Sequence, residues 1–164
     1  MLKIYIALFA ILLMTGCGPE KKPSVKSAMF QTVNSQDATL VQTGKDKLSC
    51  PRCGMNLIKY YKTSHTAELE GKHYQYCSIH CLEDHLGEGV TLKNPKVVDV
   101  DSLKFISVAE ANYVVGSKKR GTMSRVSKYA FKDKEMAKKF QARYGGEITD
   151  FAGALEKAKE DFRH

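Results

Sequence analysis

The stretch Cys50-Pro51-Arg52-Cys53-Gly54-Met55, answered further along by Cys77-Ser78-Ile79-His80-Cys81, decides how this chain is read. Two close cysteine pairs set apart by other structure form the layout of a metal-binding knuckle and helix. The first pair falls in a loop, where a turn can aim both sulfurs inward. Between the pairs, residues 64–76 alternate in polarity around Glu70-Gly71-Lys72, which predicts a β-hairpin. Ile79, Leu82 and Leu86 then recur three and four apart, predicting a short helix capped by Ser78 and ended at Gly87 and Gly89. Cys77 and Cys81, four apart at the start of that helix, share one face. A helix N-terminus also favours the thiolate that a metal needs.

Three chemistries compete for these sulfurs. Four thiolates suit a closed tetrahedral zinc site, and small units need such staples. Two disulfides are open to an exported protein. The third reading is a soft, exchangeable ion such as copper(I). Met55 favours the last, because a thioether is a good copper(I) ligand and a poor zinc ligand. Gly54 lets the backbone fold close to the site. It also argues against a thioredoxin-type pair, whose second cysteine runs into a helix.

Working outward, residues 96–100 read as a β-branched strand. The second half repeats the order. Strands are expected at 112–116 and 128–131. A helix capped by Asp133 follows to Tyr144, with Met136 and Phe140 on one face, and Gly145-Gly146 stops it. A short strand at 147–151 and a terminal helix at 152–162 complete the chain. The fold class expected is α+β: two small ββαβ units, 48–104 and 105–164, packed together, with a treble-clef-like cysteine knuckle in the first. Neither unit is large enough to bury much core alone.

The N-terminus is an address. One charge, Lys3, precedes an apolar run from Ile4 to Met14, of signal-peptide length and shorter than the about 20 residues a spanning helix needs. The run closes Met14-Thr15-Gly16-Cys17, which resembles the lipobox of bacterial lipoproteins, with Met14 where leucine is usual. That resemblance implies cleavage after residue 16, lipidation of Cys17, and a chain anchored to the membrane facing the periplasm. Residues 17–47 are polar and read as a lipid-anchored tether, with 28–47 either irregular or holding one weak strand.

Across 164 residues the composition is 43% hydrophobic and 27% charged, that of a globular protein. Net charge is +8, and loss of residues 1–16 removes only Lys3. The basic residues are scattered among acidic ones, as on a solvated surface, and a secretory leader argues against nucleic acid as a partner. No nucleophile triad, phosphate loop or acidic pair stands in a catalytic context, so an enzyme is not expected.

Cys50-x-x-Cys53-Gly54-Met55 resembles the signature of the nitrous oxide reductase accessory protein family NosL, copper(I)-binding lipoproteins. The likeness continues through Lys72-His73-Tyr74-Gln75-Tyr76-Cys77-Ser78. It extends through Ala111-Asn112-Tyr113-Val114-Val115-Gly116-Ser117 and Gly121-Thr122-Met123, and closes at Ala130-Phe131, Phe140 and Gly145-Gly146. The resemblance implies two ββαβ units. It also implies delivery of copper(I) to the copper centres of nitrous oxide reductase, with an ABC-type membrane complex as partner. Its ligand positions fall on Cys50, Cys53, Met55 and Met123. The pair Cys77 and Cys81 departs from the family pattern and keeps zinc as the alternative metal. His80, between them, is a further candidate ligand, one position off the face of Cys81. His73 and His85 are expected at the surface, Met29 in the tether and Met136 in the helix core.

Overall fold

The computed structural model describes residues 29–161. The leader, Cys17 and the last residue of the expected terminal helix, Phe162, lie outside the described residues.

Strands β1 (His65–Leu69) and β2 (Lys72–Tyr76) form the expected hairpin. Glu70 and Gly71 turn it with φ of 51° and 77°, the doubly left-handed geometry that matches strand twist. Helix α1 (Ile79–Leu86) follows and buries Ile79 and Leu82. Strand β3 (Lys93–Val98) returns antiparallel to β1, starting earlier than the sequence pattern suggested. Strand β4 (Phe105–Ser107) was not anticipated; it pairs with β3, so the first sheet, ordered β2-β1-β3-β4, runs past residue 104.

The second unit repeats the plan. Strands β5 (Asn112–Val115) and β6 (Lys128–Phe131) pair antiparallel, helix α2 (Lys134–Tyr144) follows, and β7 (Glu147–Thr149) returns against β5. Its order, β6-β5-β7, matches β2-β1-β3 of the first unit. Helix α3 (Phe151–Glu160) closes the fold. Its start requires glycine at 153, where a Cβ would stand 2.2 Å from Thr149 Oγ1.

The halves share one apolar core. Ile79, Val97, Val108, Tyr113, Ala130, Ala154 and Ala158 form a single buried cluster drawn from both. The small Ala154 and Ala158, one turn apart, let α3 lie close beneath α1. A buried bond joins the sheets: Tyr113 donates to His65 Nε2 at 3.1 Å, while His65 Nδ1 donates to the Thr63 carbonyl. Val100 N–H also donates to the Ala130 carbonyl at 2.9 Å.

Two expectations need correction. Residues 29–47, expected to belong to the tether, pack on the fold. Phe30 stacks edge-on against Tyr129, Gln31 is buried, and Val41 N–H donates to Gln75. The segment carries no strand; its anchors are isolated residues, so no periodic pattern advertised them. His85 is buried rather than exposed, because from α1 its Nδ1 meets the Tyr76 hydroxyl of β2 at 2.7 Å.

Candidate metal centre

A tight turn builds the knuckle. Gly54 N–H donates to the Cys50 carbonyl and Cys50 N–H to the Met55 carbonyl, both at 2.8 Å. Gly54 takes φ +73°, which a side chain would strain. Leu57 N–H then donates to the Leu48 carbonyl and closes the loop base. Arg52 reaches from the loop to α1, at 2.7 Å from Asp84 and 2.6 Å from Glu88. These carboxylates, Glu88 first, raise its already high pKa. The loop is thereby clamped to the C-terminal end of the helix.

This clamp brings the two cysteine pairs together. The Sγ atoms of Cys50, Cys53, Cys77 and Cys81 all lie within 4.8 Å of one another. Cys53 stands 3.5 Å from both Cys77 and Cys81, which are 3.8 Å apart. A disulfide needs about 2.05 Å, and all four are free thiols. A tetrahedral ion with bonds of about 2.3 Å would set its sulfurs about 3.8 Å apart, so the cluster fits a thiophilic ion without rearrangement. Met55 Sδ lies 3.9 Å from Cys77 Sγ and adds a thioether to the edge.

The sulfurs are not equivalent. Cys50, Cys77 and Cys81 are buried and Cys53 is exposed. The Cys50 thiol is pulled far below its ordinary pKa, because Cys77 and then Cys81 donate to it and outweigh its burial. Those donors are pushed up in turn. One thiolate therefore forms readily inside a shell of protonated neighbours, and a cation must displace the remaining protons.

The other candidates fall at different distances from this cluster. Met123 is 37% exposed and borders a hollow of about 390 Å³ with Cys53, Cys81 and His80. It also borders a second hollow with Met55 and Met29, so Met29 belongs to the site's rim and not to a tether. Met123 holds φ +69°, and its loop is fixed on both sides. Thr63 and Thr122 hydroxyls meet at 2.7 Å, and Ser124 donates to Asp161 at 2.7 Å. Gln31 Nε2 donates to the carbonyls of Arg120 and Gly121.

His80 is not brought to the sulfurs. Its Nε2 lies 3.2 Å from Lys128 Nζ and 3.8 Å from Asp161 Oδ2. Burial, then the Lys128 charge, lowers its pKa to about 4. Lys128 is itself buried and hydrogen-bonded to Asp161, and that bond with the Ser124 bond holds Asp161 low against its own desolvation. His80 thus joins the Lys128–Asp161 pair, whose carboxylate also holds Ser124 of the Met123 loop. His73 stays exposed beside Glu68.

Sequence reasoning passed over Arg52, Gln31 and the Lys128–Asp161 pair. Only Arg52 left a local signal, a cation inside the knuckle with Asp84 on the following helix and Glu88 just past its end. Lys128 and Asp161 are too far apart in sequence for any spacing to reveal them.

The NosL family profile matches residues 41–157, which contain Met55, Met123 and the four clustered cysteines. The chain belongs to the NosL family. Among solved structures it is similar to the copper chaperone NosL from Shewanella denitrificans, with a TM-score of 0.52 and 24% identity. That likeness covers 70% of this chain and 96% of the other, and it shows the shared fold. No curated sequence matches the chain. The NosL assignment agrees with the resemblance drawn from Cys50, Cys53, Gly54 and Met55, and with two ββαβ units around a cysteine knuckle. Among the described residues, no helix is long and apolar enough to cross a membrane.

Proposed function

We propose that this chain is a copper(I) metallochaperone. It is anchored through lipid on Cys17, faces the periplasm, and delivers copper for assembly of the copper centres of nitrous oxide reductase, with an ABC-type membrane complex as partner. The carrying observation is the convergence of Cys53, Cys77 and Cys81 at 3.5–3.8 Å with the Met55 thioether at 3.9 Å. Polarisable sulfur of both kinds suits copper(I) over harder ions. Exposure of Cys53 supports release: an acceptor's sulfur enters there first, and the buried thiols let go after it. Met123 stands across the same hollow and can steady the ion during that exchange. The NosL family match and the likeness to a copper chaperone support a carrier and not an enzyme.

Anaerobic titration of copper(I) against a competing chelator tests this reading. Binding much tighter than micromolar, weakened on Cys53→Ala, is expected. Micromolar or weaker binding that is indifferent to Cys53→Ala would overturn it.

A specific observation favours a second reading: the three sulfur separations sit close to the edge of a four-thiolate zinc tetrahedron. On that reading the knuckle is structural and the protein is an envelope interaction module. Metal analysis of the exported protein separates the two. One firmly held zinc, whose chelation unfolds the chain, supports the second.

A further inference from the structure

Positive charge is arranged in two ways on this molecule. Arg52, Lys138 and Lys157 face carboxylates at 2.6–2.8 Å, and Lys128 is paired with Asp161. Among the described residues most other cations have no such partner, and Lys62, Lys119, Arg120, Arg125 and Arg143 stand out from them by crowding on two shared rings and one hollow. Among the described residues, no carboxylate lies within ion-pair distance of any of them.

These five cations form one face. Lys62 Nζ is 4.5 Å and Lys119 Nζ 5.0 Å from the centre of the Phe30 ring. Lys119 Nζ is also 4.4 Å from the Tyr144 ring, and the Arg143 guanidinium is 5.1 Å from it. Arg120 and Arg125 border the hollow that Met29, next to Phe30, also lines. The rings are rigid supports, since Phe30 and Tyr144 both pack on Phe140. Burial, and then the Lys119 charge, lower the Lys62 pKa. Like charges crowded together without a counter-ion favour an external anion.

The position of the face names that anion's source. Phe30 is where the described chain enters the fold, so the segment leading from Cys17 joins the molecule in the middle of the patch. Twelve residue steps from Cys17 to Met29 reach about 40 Å at most. The intervening stretch adds Lys21, Lys22 and Lys26 against one acid, Glu20. A lipid on Cys17 therefore keeps the chain's entry point, and the face around it, within about 40 Å of the bilayer.

We infer that the face formed by Lys62, Lys119, Arg120, Arg125 and Arg143 docks on anionic phospholipid headgroups beside the chain's own anchor. The lipid tethers and the basic face orients. Arg120 and Arg125 share a hollow with Met55 and Met123, so docking holds the sulfur site at the membrane plane, where a membrane-bound acceptor can reach it.

The proposal takes the lipid on Cys17 from the functional reading above. Its test omits that lipid, and the mass of the exported protein reports lipidation separately. The chain from residue 17 onward, carrying Cys17→Ser, is sedimented with phosphatidylcholine vesicles and with vesicles rich in phosphatidylglycerol. Binding to the anionic vesicles should be tighter by about tenfold or more and should vanish at high salt. Lys62→Glu/Lys119→Glu and, independently, Arg120→Glu/Arg125→Glu should each remove most of that preference. Lys138→Glu/Lys157→Glu, drawn from the paired set, should keep it. Equal binding to both vesicles overturns the inference and leaves the face to an acidic protein. A preference that survives both pairs of substitutions also overturns it and assigns the effect to Lys21, Lys22 and Lys26.

Discussion

The two units have one strand order and opposite means of filling the space behind their helices. In the second, Phe30, Tyr129, Phe131, Phe140 and Tyr144 interlock around Val114 and Ala137, with ring centres 4.8–6.3 Å apart. In the first, the equivalent space holds Cys50, Cys77 and Cys81 beside Leu57, Tyr76 and Leu82. The helix starts differ in the same sense. Asp133 accepts from the amides of Glu135 and Met136, whereas Ser78 makes no side-chain cap bond. One unit's centre is filled by rings, Phe30 of the N-terminal segment among them. The other leaves its centre to four thiols whose protons a metal can replace. A single topology thus serves as a permanent scaffold in one half and a loadable site in the other.

That contrast can be broken most sharply at Phe140. Phe140→Ala should cost about 3–5 kcal/mol in denaturant unfolding, and the loss should be the same with and without bound metal. Loading the first unit is the counterpart. A soft metal at about a thousand times its Kd should stabilise the chain by about 4 kcal/mol. Amide exchange should slow around Cys50–Met55 and α1 more than around α2. If α2 gains equal protection, the two halves do not differ as described.

The joint between the units carries a pH signature. Burial lowers the His65 pKa to about 4 from an ordinary 6.5. Above about pH 6.5 the imidazole is neutral in both states and its contribution is constant. Between about 6.5 and 4 the unfolded chain takes a proton that the folded chain refuses, so stability falls as pH falls, by about 3 kcal/mol in all. Below that window the slope disappears. Unfolding of the chelator-treated protein across this range should show the slope; His80, also held to about 4, adds its own share, so His65→Gln should reduce the slope without abolishing it. The smallest effect compares the caps: Asp133→Ala should cost about 1 kcal/mol, and Ser78→Ala should not show the loss of a cap bond.

What the sequence disclosed was local. The hairpin around Gly71, helix α1 and the Asp133-capped helix follow from spacing and turn chemistry within a few residues. The sulfur convergence was legible for the same reason, since each pair is close and the hairpin between them is short. Strand β4 was not, because three half-buried residues carry no period. Residues 29–47 were hidden by polar composition; Phe30 and Gln31 hold them through partners far along the chain. The turning of His80 away from the sulfurs depends on Lys128 and Asp161, which only the folded structure brings together.

The central claim is that thiolate and thioether sulfur together receive a soft cation in the first unit. X-ray absorption of the anaerobically prepared copper(I) protein reads the donor atoms directly. The account predicts a shell of two to four sulfurs and no imidazole scattering, with a change in that shell on Met55→Ile and on Cys77→Ser. A nitrogen- or oxygen-dominated shell, or one unmoved by both substitutions, would contradict it.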